Sequence, residues 1–159
     1  MSAAILVADD HDAIRDLLSR VLTNDGYAVT CVVDGAELLT ISAGQTFDLV
    51  LTDLSMPKVD GLTAIRRLRM DANSAHLPII AMSADLFTGY DALTAGANAF
   101  LEKPFLLDEL LGTITHALRQ TRDISPSHIT QALANHPPTG VTLPRQRGVA
   151  WKQFPAASE

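Results

Sequence analysis

Five short apolar segments alternate with five helical segments along the first 120 residues, and this alternation constrains the fold more than any other feature. Each apolar segment has the length of a β-strand and is mostly apolar rather than alternating between apolar and polar residues. Continuous runs of this kind are typical of parallel strands whose two faces are both covered. The predicted strands are 4–8, 28–33, 48–52, 78–82 and 97–101.

The segments between the predicted strands have helical periodicity. Apolar residues recur every three or four positions in 14–22, 62–68 and 106–118, and a shorter apolar group lies at 38–41. Turn residues end two of the helices, with Asn24-Asp25-Gly26 after the first and Gly96 after the fourth. Strands that alternate strictly with helices join through right-handed crossovers into a parallel sheet, so the sequence predicts a doubly wound α/β fold.

The C-terminal part of the chain has a different composition. Five of the eight prolines lie within residues 121–159, which mix scattered apolar residues with polar and basic ones. We therefore expect a compact domain over 1–121 and a Pro-rich extension over 122–159 without a recognisable output domain. Within the extension, one short helix is predicted after Ser125-Pro126, and Trp151 and Phe154 are the expected docking anchors.

Charge and cysteine content exclude several classes of protein. The 18 acidic and 12 basic residues give a formal charge of −6, which opposes direct binding to nucleic acid. A single Cys excludes an internal disulfide, and no apolar run approaches the length of a membrane span. The N-terminus lacks the basic region of a signal peptide. A cytoplasmic protein without membrane contacts is the expectation.

Polar residues follow four of the five predicted strands at the point where each strand ends. Asp9-Asp10 follow the first strand, Asp53 the third, Ser83 the fourth and Lys103 the fifth. Ligands of open parallel sheets bind beyond the carboxyl ends of the strands. We therefore expect three carboxylates, a hydroxyl and an ammonium group to meet at one edge of the sheet.

Such a group of side chains suits a divalent metal and a phosphoryl group. Crowded carboxylates need a compensating positive charge, which Lys103 or a bound cation could provide. Mg²⁺ favours one or two carboxylates together with water and phosphate oxygens. An ionised Asp is a nucleophile toward phosphorus, and Lys103 and Ser83 could stabilise the transferred group.

The spacing of these residues resembles the receiver domain of two-component response regulators. The resemblance covers about residues 3–120 and rests on the strand-end residues above and three further motifs. These motifs are Met56-Pro57 with Asp60-Gly61, Ser83-Ala84, and Gly96-Ala97 followed by Phe100-Leu101 and Lys103-Pro104-Phe105. The resemblance implies a flavodoxin-like sheet of five parallel strands in the order 2-1-3-4-5, with five helices.

The resemblance also assigns a role to each site residue. Asp53 is implied to be the phosphoacceptor and Lys103 the phosphate-binding lysine, with a cis bond before Pro104. Direct ligands of Mg²⁺ would be Asp10, Asp53 and the backbone carbonyl of Ser55. Asp9 would act mainly through a metal-bound water. Ser83 matches the conformational-switch hydroxyl and Phe100 the aromatic residue that moves inward upon phosphorylation.

The implied function is a phosphorylation-dependent response regulator and not an enzyme in the usual sense. A sensor histidine kinase or phosphotransfer protein would transfer a phosphoryl group to Asp53. The surface of the fourth helix, fifth strand and fifth helix would then bind or release a downstream protein target. A homodimer through the fourth and fifth helices or the extension is a further expectation.

Three other functions remain open at this point. The chain could be the receiver part of a DNA-binding regulator whose output domain is not included. A phosphatase of the haloacid dehalogenase type also uses a strand-end Asp, but Ser55 occupies the position of its second Asp. An FMN-binding flavodoxin would need a phosphate cradle after the first strand, where Asp9-Asp10-His11-Asp12 would repel phosphate.

Two further groups of residues have simpler interpretations. The five histidines show no ligand spacing, so surface or helix-capping roles are expected for them. Arg66, Arg67 and Arg69 form a basic cluster on the third helix, which we interpret as a solvated face. Individually, the carboxylates, Ser83 and Lys103 could also be helix caps, turn residues or surface charges.

Overall fold

The computed structural model describes residues 2–122 and 149–151. Five parallel strands form the sheet in the order 2-1-3-4-5, as expected: β1 (Ala4–Ala8), β2 (Ala28–Val32), β3 (Leu49–Asp53), β4 (Ile79–Ser83) and β5 (Ala99–Glu102). Five helices connect and follow them: α1 (Asp12–Asn24), α2 (Gly35–Gly44), α3 (Gly61–Met70), α4 (Leu86–Ala95) and α5 (Leu107–Arg122). The predicted strand limits are correct to within two residues.

Alternate residues of each strand face opposite sides of the sheet and enter two separate hydrophobic cores. On one side, Leu6 and Val50 pack in the core that also contains residues of α2, α3 and α4. On the other side, Ile5 and Leu51 pack with residues of α1 and α5. The strands are therefore buried on both faces, which explains why their sequences are continuously apolar.

Three aspartates fix the starts of helices on the first of these sides. The Asp34 carboxylate accepts a hydrogen bond from the Glu37 backbone N–H, and Asp60 accepts one from Thr63. Asp85 caps α4 by accepting from the Phe87 N–H. The pKa of all three carboxyls is lowered because hydrogen bonds stabilise the charged form: mainly these backbone bonds for Asp34 and Asp60, and the bond from the Thr88 hydroxyl followed by that from Phe87 for Asp85. The loops before α3 and α4 are thus held where they follow β3 and β4.

The sheet has a sixth strand that the sequence analysis did not predict. β6 (Val149–Trp151) pairs antiparallel with the edge of β5, so the order becomes 2-1-3-4-5-6. Part of the extension thus pairs with the sheet through its backbone, while the role of the Trp151 side chain as an anchor stays a prediction. The short helix predicted after Ser125-Pro126 and the anchor Phe154 lie outside the described residues.

Arg69 does not belong to a solvated face, which corrects one interpretation of the third helix. Its guanidinium donates hydrogen bonds to the backbone oxygens of Gly96, Ala75 and Leu77 and to Oδ1 of Asn98, at 2.7–3.1 Å. Desolvation lowers the pKa of this guanidinium. The side chain joins the end of α3 to the start of β4 and to the turn between α4 and β5. Arg66 and Arg67 are exposed, as expected.

None of the helices within residues 2–122 combines the length and apolar character that a membrane span needs.

Replacing Arg69 should test how much this connection stabilises the domain. Arg69→Met removes the donors and leaves several partly buried acceptors without their partner, so we expect the free energy of unfolding to fall by about 2–4 kcal/mol. Urea denaturation followed by circular dichroism measures this change. The exposed Arg66→Met is the matched control and should change the stability by less than about 0.5 kcal/mol. Equal effects of the two variants would contradict the structural role of Arg69.

Candidate functional site

Four strand ends bring the predicted site residues to one edge of the sheet. Asp9 directly follows β1, Asp53 is the last residue of β3, and Ser83 is the last residue of β4. Lys103 directly follows β5. Because the strands are parallel and in register, these residues converge although up to 94 positions separate them in the sequence.

Lys103 is the positive centre of this edge. Its Nζ lies 3.0 Å from Oδ2 of Asp9 and 3.3 Å from Oδ1 of Asp53. The Asp9 side chain is fully buried, that of Asp53 is 6% exposed, and that of Lys103 is 18% exposed. Ion pairs with so little access to water are strongly coupled, so loss of the ammonium would leave two buried carboxylates without their counter-charge.

Asp10 and His11 complete an acidic cluster around Asp9 and Asp53. One potential ligand atom from each of these four residues lies within 4.8 Å of the others. Nδ1 of His11 is 3.1 Å from Oδ1 of Asp10 and 3.3 Å from Oδ1 of Asp9. Three carboxylates at this separation match the oxygen donors that Mg²⁺ prefers, so the residues present fit a magnesium ion.

The Asp53 carboxyl has an unfavourable environment for its charge. Burial raises its pKa above the ordinary value, the nearby Lys103 ammonium lowers it, and the Asp9 carboxylate raises it again. The net direction is upward. Lys103 therefore opposes, without cancelling, the cost of keeping Asp53 ionised inside the protein.

The loop after Asp53 is built around close backbone contacts. A Cβ on Gly61 would lie 2.3 Å from the carbonyl oxygen of Asp53, so only glycine allows α3 to begin this close to the acidic residue. A Cβ on Gly35 would similarly meet the carbonyl oxygen of Val59 at 2.2 Å. Lys58 in this loop has a φ of 64° and pairs with Asp34. The Asp60-Gly61 motif thus holds the loop beside the site.

Ser83 is buried at the end of β4 and contacts the start of α4. Its Oγ accepts a hydrogen bond from the backbone N–H of Asp85 at 3.0 Å. The cap of α4 is Asp85 rather than Ser83, so the simple capping interpretation of Ser83 is wrong. The hydroxyl therefore connects the edge of the sheet to the first turn of α4, and its role in switching stays a prediction.

Phe100 lies in β5 with 2% of its surface exposed. Its ring makes an edge-to-face contact with Tyr90 of α4, with centroids 5.5 Å apart. A Cβ on Gly89 would approach the ring to 2.6 Å, so the ring occupies space that only glycine leaves free. Phe100 is thus already buried against α4, and its predicted inward movement is not tested by this structure.

The remaining predicted features lie in two loops. Ser55 is exposed two residues after Asp53, where its backbone carbonyl was predicted to bind metal. The Lys103-Pro104 peptide bond is cis, as the resemblance implies.

Sequence reasoning missed two residues near the site. His11 occupies the N-cap position of α1, but its side chain makes no capping hydrogen bond and its ring instead joins the acidic cluster. Arg15 donates to the backbone carbonyl of Asp9 at 2.8 Å and pairs with Asp12. The position of His11 directly after Asp10 could have indicated that its ring lies near the acidic cluster. For Arg15, the signal was its position one helical turn into α1, where its side chain can reach back to the strand end.

Neutralising Asp53 should stabilise the metal-free protein at neutral pH. Because the pKa of Asp53 is higher in the folded than in the unfolded state, its ionisation favours unfolding as pH rises from the ordinary pKa toward the raised value. Asp53→Asn removes this cost and should increase the free energy of unfolding at pH 7 by about 0.5–2 kcal/mol.

Denaturation with and without acid checks the sign of this effect. The gain of Asp53→Asn over the native protein should shrink below about pH 4, where the carboxyl is protonated in both states. Asp91→Asn, on the exposed side of α4, removes one charge elsewhere and is the control. An Asp53→Asn protein that is less stable than the native one at pH 7 would contradict the analysis.

Comparison with known proteins agrees with this geometry. The family model for the response regulator receiver domain matches residues 5–115. Response regulator MprA of Mycobacterium bovis is 40% identical over 124 residues, which are 77% of this chain and 53% of that protein. The DNA-binding dual master transcriptional regulator RpaA of Synechocystis is 36% identical over 84% of this chain and 56% of its own length. The chain thus spans about half the length of these relatives.

A solved structure has the same architecture. The receiver domain of the sensor histidine kinase PA1611 from Pseudomonas aeruginosa is 32% identical and has a TM-score of 0.70. The alignment covers 74% of this chain and 98% of that domain, which holds a magnesium ion in its active site cleft. Sheet order, strand-end residues and sequence similarity agree, and this chain belongs to the response regulator receiver domain family.

Proposed function

We propose that this chain is a phosphorylation-dependent response regulator that accepts a phosphoryl group on Asp53, with Mg²⁺ as cofactor. The observation that carries the proposal is the position of Asp53: it is buried at a strand end, paired with Lys103 and grouped with Asp9 and Asp10. The donor would be a sensor histidine kinase or a phosphotransfer protein. The chain would serve as the acceptor in a signalling step rather than as an enzyme with a released product.

The transfer follows from the charges at the site. One carboxylate oxygen of Asp53 bonds to the phosphorus while the bond from phosphorus to the donor histidine nitrogen breaks, and its electron pair stays on the imidazole. Lys103 helps to keep Asp53 ionised and lies close enough to stabilise charge on the incoming oxygens. The Ser83 hydroxyl is a further donor at the same edge. Mg²⁺ held by Asp10 and Asp53 would neutralise charge on the phosphoryl oxygens.

Phosphorylation would change the balance of contacts around Lys103. The phosphoryl group adds a charge of about −1.5 to −2 and strong acceptor oxygens. Lys103 and Ser83 would be attracted to these oxygens. Movement of Lys103 would shift the end of β5, and movement of the Ser83 hydroxyl would break its hydrogen bond to the first turn of α4. Phe100, which lies between β5 and α4, would repack in response.

The output surface proposed here is the face formed by α4, β5 and α5. Large apolar side chains are exposed on α4 and just before and at the start of α5: Leu86, Phe87, Tyr90, Leu106 and Leu107. Phe87 is 80% and Leu106 70% exposed, which is unusual for such side chains. Exposed apolar groups of this kind mark protein interaction sites, so the downstream target or a second copy of this chain would bind here.

A second candidate is the receiver part of a longer, DNA-binding regulator. It is favoured by the length of the relatives, one of which is named a DNA-binding transcriptional regulator. An antibody against residues 2–122 would detect the native product. A product much larger than 17.0 kDa would support this candidate, and a product of about 17 kDa would exclude it.

Phosphorylation of the purified chain tests the first proposal. Incubation with acetyl phosphate and Mg²⁺ should add the mass of one phosphoryl group, because the carboxylate can attack this small donor as well. Intact-mass spectrometry should show no gain for Asp53→Asn or in the presence of EDTA, and a normal gain for Asp91→Asn. Repeated turnover of small phosphate esters without a stable adduct would instead support a phosphatase.

Binding of Mg²⁺ can be measured without phosphorylation. At a concentration 100 times its Kd, the ion should stabilise the native protein by about 2.7 kcal/mol and raise its Tm accordingly. Asp10→Asn should lose this increase, whereas Asp12→Asn, which removes a more exposed carboxylate two positions away, should keep it. An equal increase in both variants would place the ion elsewhere.

A further inference from the structure

The C-terminal strand β6 covers the edge of β5 next to the proposed output surface. Its three residues pair antiparallel with β5, with Val149 opposite Leu101, Ala150 opposite Phe100, and Trp151 opposite Ala99. Without β6, β5 would be the last strand of the sheet on this side. A parallel receiver sheet thus ends here in a strand that the chain supplies from beyond α5.

The hydrogen bonds of the edge can be assigned from the strand geometry. Successive N–H groups of a strand point to opposite edges. The Lys103 N–H donates to the Ser83 carbonyl on the β4 side. In the register of β4 with β5, the N–H groups of Ala99 and Leu101 therefore also point toward β4, whereas that of Phe100 points toward β6. It follows that Ala150 forms the hydrogen-bonded pair with Phe100.

β5 is also the strand that connects the edge to the phosphorylation site. Phe100 sits at its centre, opposite Ala150, and Lys103 follows its last residue with contacts to Asp9 and Asp53. A movement of Lys103 toward a phosphoryl group would pull on a strand that is held by β4 on one side and by β6 on the other. Pairing with β6 therefore resists the rearrangement that phosphorylation requires.

We propose that β6 is a displaceable cover that holds β5 in its unphosphorylated arrangement and closes the β5 edge to a partner. This proposal rests on the phosphorylation proposed for Asp53. The occupant of the edge is residues 149–151 of the same chain, and the partner excluded by it is a protein that adds an extended segment to β5. Phosphorylation and release of β6 then favour each other, as two coupled equilibria must.

Two features make the cover displaceable. β6 has only three residues, and short edge strands open at a much lower free energy than the core of a sheet. It is also attached to α5 through residues 123–148, so that it returns to the edge as an intramolecular ligand at high effective concentration. An exposed strand edge offers unpaired backbone groups to any extended segment, so release of β6 would create a binding site.

Hydrogen exchange of the unphosphorylated full chain tests the cover on its own. Ala150→Pro removes the N–H that pairs with β5, and should make the amide of Phe100 exchange at least about tenfold faster. The amides of Ala99 and Leu101, which face β4, should stay protected and thereby show that β5 is still folded. Ala156→Pro is the matched control, because it adds the same ring outside β6. Unchanged exchange at Phe100 would overturn the proposal.

Phosphorylation by acetyl phosphate tests the restraint. Ala150→Pro, and a chain that ends after Gly148, should be phosphorylated about threefold faster or more than the native protein and Ala156→Pro. If variants whose β5 edge exchanges rapidly are phosphorylated at the same rate as the native protein, β6 does not restrain phosphorylation. Failure of every variant to gain mass would overturn the function proposed for Asp53, while the exchange data would still decide whether the edge is covered.

Dilution identifies the chain that supplies the strand. Protection of the Phe100 amide that is independent of protein concentration supports pairing within one chain. Protection that falls on dilution together with a dimeric mass would overturn the intramolecular cover, because the strand would then come from a second copy.

Discussion

The ammonium group of Lys103, placed between two buried carboxylates, is the interaction on which the rest of the site depends. Asp9 and Asp53 come from neighbouring strands, and Lys103 follows β5 two strands away from β3. The repulsion between the carboxylates of Asp9 and Asp53 would oppose the packing of β1 against β3 if no positive charge compensated it. The two carboxylates lie close together at one edge of an otherwise apolar sheet. The same carboxylates provide ligands for a metal and a site for a phosphoryl group.

The surroundings of this charge cluster are arranged with little freedom. Gly61 lets α3 begin against the backbone of Asp53, and Asp60 fixes that start by capping the helix. On the neighbouring strand β4, the Ser83 hydroxyl accepts a hydrogen bond from the first turn of α4. The loops that border the cluster are therefore held by backbone contacts and caps, while the charged side chains themselves are held mostly by one another. A change in charge at Asp53 acts on the part of the structure with the fewest other restraints.

Much of the fold and of the site could be predicted from the sequence because both depend on local patterns. Continuous apolar runs identified the five parallel strands, and parallel strands bring their carboxyl ends together, so that Asp53, Ser83 and Lys103 could be placed without coordinates. β6 could not be predicted, because three residues in a Pro-rich segment carry no periodicity and their pairing with β5 is non-local. The position of Arg69 was also missed, since a helix pattern does not reveal that a charged side chain can turn inward to backbone carbonyls of two other elements.

The bonds made by Arg69 give the two ends of α4 different mechanical properties. At the C-terminal end, the guanidinium binds the Gly96 carbonyl and, through Asn98 and Leu77, the adjoining segments before β5 and β4. At the N-terminal end, the connection to the sheet includes the single bond between Asp85 and the Ser83 hydroxyl. A helix held in this way would rotate about its C-terminal end, so that a small displacement of Ser83 becomes a larger displacement of Phe87 at the surface. The geometry of α4 is that of a lever whose fixed point is the turn at Gly96.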